Sequence, residues 1–129
     1  MRISSLYGKH KGATVFIVGT GPSLRCMPLD FFQGKTVIGL NQAYRHVATT
    51  YSITVHPELL ADYDRAKKLP TTWPTQWIVK KKPPMAHLEL NDPKYYVFGT
   101  SYDLKTVTAR PADTLYLGEG VQTCAMDLA

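Results

Sequence analysis

Residues 15–24 leave this chain few choices of fold. Val15-Phe16-Ile17-Val18 places four apolar residues in succession, and Gly19-Thr20-Gly21-Pro22-Ser23-Leu24 follows at once. A short run of β-branched and aromatic residues that stops in turn residues fits a central strand of a parallel sheet, covered on both faces. Gly19 and Gly21 can turn the chain tightly and leave room for a phosphate or sugar at the backbone. Pro22 has no N–H and a pre-set φ, and Ser23 offers a hydroxyl and a cap to a following helix. Free N–H groups at such a helix start, with the positive end of its dipole behind them, form an anion site. The turn lacks the third glycine of the dinucleotide fingerprint and the Gly-Lys-Ser/Thr of a P-loop. Its glycines therefore read either as an anion cradle or as a tight strand-to-helix turn and nothing more.

The remaining signals narrow the class. At 129 residues, 44% of them hydrophobic and with no low-complexity tract, the chain reads as a single domain with a core of its own. An ordered core over 13–129 is expected, with 1–12, which carries Lys9, His10 and Lys11, as a solvated lead-in. A formal charge of +5 suits an anionic small molecule, but the charges are too dispersed for a nucleic-acid groove. Cys26 and Cys124 form neither a metal constellation nor a disulfide framework, and no secretory leader precedes the first strand, which together read as a reduced, cytoplasmic protein. No stretch approaches the ~20 apolar residues of a membrane helix, so any membrane contact would be peripheral.

Further strands are expected at Thr36-Val37-Ile38-Gly39-Leu40, Tyr51-Ser52-Ile53-Thr54-Val55, 76–79, Tyr95-Tyr96-Val97-Phe98 and Thr114-Leu115-Tyr116-Leu117. Pro28 interrupts the segment after the first turn, so the helix there should be short or broken and end at Gly34. Pro57 and Glu58 open a helix expected to reach Leu69 and stop at Pro70. Residues 44–48 read as a short helical turn with Arg45 and His46 solvated, Lys80-Lys81-Lys82 as a solvated strand exit, and 85–113 as the variable region. Val121 onward reads as a helix. Asn41 and Gln42 fall at the carboxyl end of the second strand and His56 at that of the third, where open α/β sheets bind ligands. Gly118, Glu119 and Gly120 form a second glycine turn after the last strand.

Several separated segments resemble one superfamily. Val18-Gly19-Thr20-Gly21-Pro22-Ser23-Leu24 resembles the amino-terminal nucleotide motif of the bacterial lipooligosaccharide sialyltransferases, within a superfamily that includes 6-hydroxymethylpterin diphosphokinase-like proteins. Leu40-Asn41-Gln42-Ala43-Tyr44 is similar to the second strand exit of those transferases, and Val55-His56-Pro57-Glu58-Leu59 to their third, with His56 where they carry Asn. Gly120-Val121-Gln122-Thr123-Cys124-Ala125 resembles their Ser-Gly-Val-x-x-Cys-Ala helix start, with Glu119 in place of the serine. The resemblance implies an α/β fold: a Rossmann-like three-layer open sheet, mostly parallel and cut short at its C-terminal end.

It also implies metal-free binding of cytidine monophosphate or its sialic acid conjugate by Gly19, Thr20, Gly21, Pro22, Ser23, Asn41, Gln42, His56, Gly118, Glu119 and Gly120, with no cofactor. The family's catalytic histidine lies beyond the segment matching Ala129. This implies a nucleotide-binding part of a sialyltransferase-like enzyme that performs no sugar transfer by itself and at most weak donor hydrolysis. The alternatives are a small non-catalytic nucleotide binder of phage or mobile-element origin and a pterin diphosphokinase-like phosphoryl transferase.

Overall fold

A computed structural model describes residues 1–28, 30–66, 75–81, 93–101, 113–116 and 120–129. Six parallel strands make one sheet: β1 (Val15–Val18), β2 (Thr36–Leu40), β3 (Tyr51–Thr54), β4 (Gln76–Lys80), β5 (Tyr96–Ser101) and β6 (Thr114–Tyr116). Among the described residues two α-helices accompany them, α1 (Leu59–Ala66) and α2 (Val121–Leu128). The expected α/β open sheet is present, and the described strand pairs are all parallel. The expected helix end at Leu69 and Pro70, Lys82, most of the variable region, and Leu117, Gly118 and Glu119 lie outside the described residues.

Strand order follows chain order, β1-β2-β3-β4-β5-β6. The first strand is therefore an edge strand and not the central one its composition suggests. Val15, Phe16 and Ile17 are half-buried: packing on both faces of β1 protects them, although among the described residues no strand pairs with its second flank. An apolar run reports covered faces, and pairing on a second flank leaves no mark in it.

Side chains alternate between the two faces. Ile38, Tyr51, Ile53, Ile78, Tyr96 and Phe98 share one core with Leu115 of β6. Val37, Trp77, Val79 and Val97 point to the opposite face. That second face carries the crossovers: Leu24, Met27 and Phe32 after β1, Tyr44 and Val47 after β2, and Leu60 and Tyr63 of α1 after β3. The first face is covered by the two ends of the chain. Ile3 and Leu6 of a 3-10 turn (Ile3–Leu6) and Cys124 and Ala125 of α2 fill it. Helix α2 touches β2, β3 and β6. Flat strands spaced ~4.8 Å apart would put β2 and β6 about 19 Å from each other, so the sheet curls around this helix.

The first half of the lead-in is thus structural, while Gly8, Lys9, Lys11 and Gly12 are solvated as expected. Arg2 bridges to Val97 of β5, and the Met1 amino group donates to Tyr95 O at 2.9 Å. Ser4 donates both its backbone N–H and its hydroxyl to the buried carboxylate of Asp113, at 3.0 and 2.9 Å, and Tyr7 donates to Thr114 O at 3.0 Å. Ile3 and Leu6 lie three apart, so one turn of 3-10 helix stacks them on the same side. His10 is half-buried, its Nε2 3.1 Å from the Tyr51 hydroxyl. Hydrogen bonding to that hydroxyl also raises Lys9 above the ordinary lysine value. What this raised value adds to stability is complete below the usual lysine range and is lost as pH climbs through it.

Candidate functional site

The carboxyl ends of β1, β2 and β3 converge on one cleft. Thr20 follows β1, Asn41 and Gln42 follow β2, and His56 follows β3. With His46, Glu58 and Leu59 they line a hollow of about 360 Å³. A second hollow of about 170 Å³ adjoins it, shares Thr20 and His46, and is lined also by Gly21, Pro22, Leu24 and Arg25. Carboxyl strand ends are where parallel sheets present ligand sites, because loops there are free to vary over a fixed scaffold.

A buried threonine joins two of these strand exits. Thr54 Oγ1 donates to Asn41 Oδ1 at 2.9 Å and accepts the His56 backbone N–H at 2.9 Å. Asn41 takes a left-handed backbone, φ 53°, which asparagine tolerates better than most residues, and its own N–H donates to Ile53 O at 3.0 Å. With its carbonyl oxygen engaged by Thr54, the Asn41 carboxamide has its two N–H donors left for a molecule in the cleft. Thr54→Val keeps the shape but strands the Asn41 oxygen and the His56 N–H. It should lower stability by about 1–3 kcal/mol, read as a shifted urea midpoint; an unchanged midpoint would show that the link is not formed in solution.

The glycine turn differs from its expected form. The segment after it is a five-residue 3-10 turn, Pro22–Cys26, and not an α-helix. Five residues of 3-10 structure carry little aligned dipole, so the expected anion site at a helix start is not built. Gly21, not Ser23, occupies the cap position, with no side-chain cap bond. Neither Gly19 nor Gly21 has a positive φ, and Gly21 sits at φ −63°, ψ 156°. A Cβ added at Gly19 would meet nothing within 4 Å, and at Gly21 only Ser23 Oγ at 3.8 Å. The fold itself requires neither glycine. Their effect is a bare strip of backbone at the edge of the cleft.

Of the residues expected to contact ligand, Thr20, Gly21, Pro22, Asn41, Gln42 and His56 line the paired hollows; Gly19 and Ser23 belong to the same exposed turn without lining them. Gly120 does not join them. It precedes α2 after β6, at the far edge of the sheet from β1, with φ 137°. Sequence reasoning missed Arg25, His46, Glu58 and Leu59. Arg25 lies three residues beyond Pro22, on the same side of the 3-10 turn. His46 follows the turn Ala43–Arg45, and the sequence signal for it was this position five residues past the exit residue Asn41. It is exposed as expected, and it stands on the wall between the two hollows.

His56 Nδ1 lies 3.2 Å from Glu58 Oε1, both side chains about half exposed. Among the described residues no group of three or more His, Cys, Asp or Glu gathers as a metal site, and no helix is long and apolar enough to cross a membrane. No protein family, curated protein or solved structure matches the chain.

Proposed function

We propose that the chain binds a nucleotide or nucleotide-sugar, of the cytidine monophosphate–sialic acid type, in the cleft at the ends of β1, β2 and β3. The observation that carries this reading is the convergence of three successive strand exits on two adjoining hollows: bare backbone from the first, an oriented carboxamide from the second and an imidazole from the third. The smaller hollow, with Arg25 beside the exposed backbone of Gly21, suits the phosphate, because a guanidinium pairs with phosphate oxygens in a fixed fork. The larger one, with Asn41, Gln42 and Leu59, offers amide groups and an apolar contact to a base or sugar. In this reading the chain is the nucleotide-binding part of a sialyltransferase-like glycosyltransferase.

Calorimetry with cytidine, uridine and guanosine monophosphates tests it. Binding of the cytidine nucleotide ahead of the others is the expected result. Silence from all three at millimolar concentration would remove the proposal.

A further inference from the structure

Two imidazoles and a carboxylate stand on the walls of the cleft, and the nucleotide reading uses none of them for chemistry. Glu58, when ionised, can only accept hydrogen bonds, so the His56 nitrogen facing it, Nδ1, carries a proton. In the neutral ring the lone pair then rests on Nε2. That is the tautomer a general base requires, with the carboxylate holding the ring in orientation. His46 belongs to a different strand exit, after β2, and reaches both hollows. Arg25 is the cation of the smaller one. Among the described residues, Glu58, His46 and Arg25 are the charged or titratable groups that line the cleft with His56; Thr20, Asn41, Gln42 and Leu59 carry none.

We propose that this cleft hydrolyses the phosphodiester of a bound nucleoside monophosphate ester, with His56 as general base, His46 as general acid and Glu58 as the residue that positions His56. The proposal rests on the nucleotide reading above. With the phosphate at the Thr20–His46 wall that both hollows share, a water in the larger hollow attacks phosphorus and its proton passes to His56 Nε2. The bond from phosphorus to the oxygen of the non-nucleoside group breaks, and that oxygen takes a proton from the His46 imidazolium. The products are the nucleoside monophosphate and the free alcohol. Solvent returns a proton to His46 and removes one from His56, and water is the sole co-reactant. Arg25 offsets the negative charge that grows on the non-bridging phosphate oxygens.

The test uses the full chain and two probes, the ethyl ester and the p-nitrophenyl ester of cytidine 5′-monophosphate, with cytidine monophosphate binding measured alongside. Ethoxide is a poor leaving group and needs the acid; p-nitrophenolate does not. His56→Asn should lower kcat on both esters by about 100-fold or more. His46→Gln should do so on the ethyl ester and spare the p-nitrophenyl ester. Glu58→Gln should lower kcat on both esters less than His56→Asn does, with KM unchanged, and Glu58→Asp, which keeps a carboxylate, should recover part of the loss, a distinction that loss of a purely structural contact does not produce. Binding without release of either alcohol above the buffer rate overturns the hydrolytic proposal and leaves the nucleotide reading intact. An equal loss on both esters in His46→Gln overturns its role as acid. Absence of binding removes both proposals together.

Discussion

Gly21→Val will fold as the parent does and bind nucleotide roughly 5- to 150-fold more weakly, the equivalent of the ~1–3 kcal/mol typical of overpacking a fitted contact. Two opposing expectations meet at this residue. If the glycine serves the fold, its replacement must strain the chain; yet Gly21 sits at φ −63°, ψ 156°, which valine adopts freely, and an added Cβ finds only Ser23 Oγ at 3.8 Å. If instead it serves a ligand, the new isopropyl group stands where the phosphate must approach the backbone. Urea denaturation and calorimetry on the same preparation separate the two. An unchanged urea midpoint with unchanged binding would put the ligand elsewhere, and a lowered midpoint would show a structural demand on Gly21 that its geometry does not reveal.

Tyr44→Ala will carry the largest stability cost, about 3–5 kcal/mol, and with it a Tm lower by ~10–20 °C. Tyr44 is fully buried, and its ring centroid lies 5.2 Å from that of Tyr63 and 5.4 Å from that of Trp77, each edge to face. These three rings clamp the turn Ala43–Arg45 and the middle of α1 onto the sheet, and the turn is what sets His46 beside Asn41 and Gln42. Tyr44→Phe retains the rings and loses only the 3.4 Å bond from Arg45 Nε to the hydroxyl, so it should cost under about 1 kcal/mol. A thermal melt of Tyr44→Ala within 2 °C of the parent would mean that the clamp is not what holds the turn.

The strands were legible because parallel strands buried on both faces tend to be written as continuous apolar runs, as Val15 to Val18, Val37 to Leu40 and Trp77 to Val79 are, while Tyr51 to Thr54 is read from its alternation; neither signal needs long-range information. Their order was not legible. Which strand pairs with which depends on where each crossover lands, and an apolar run at an edge reads like one at the centre, as β1 demonstrates. Ile3 and Leu6 were overlooked because a single 3-10 turn is too short to establish a period against the polar residues around it. Asn41, Gln42 and His56 could be found from their position at strand exits alone. Arg25 and His46 could not, since each is an exposed polar residue whose meaning comes from the neighbouring exit that it faces. The left-handed backbone of Asn41 and the Thr54 bridge depend on contacts between β2 and β3 that local sequence does not encode.

The core face covered by both ends of the chain sets a schedule for folding. The bonds that fasten its first turn join residues 94, 109 and 107 positions apart: Met1 to Tyr95, Ser4 to Asp113 and Tyr7 to Thr114. During synthesis at about 5–20 residues per second, Ser4 waits roughly 5–20 s for Asp113 to be made. Until then Ile38, Tyr51, Ile53 and Ile78 have strand neighbours but no cover from α2. Closing loops of that length before any contact rewards them makes for slow folding, so the nascent chain spends those seconds with one apolar sheet face open to whatever in the cell binds unfinished proteins.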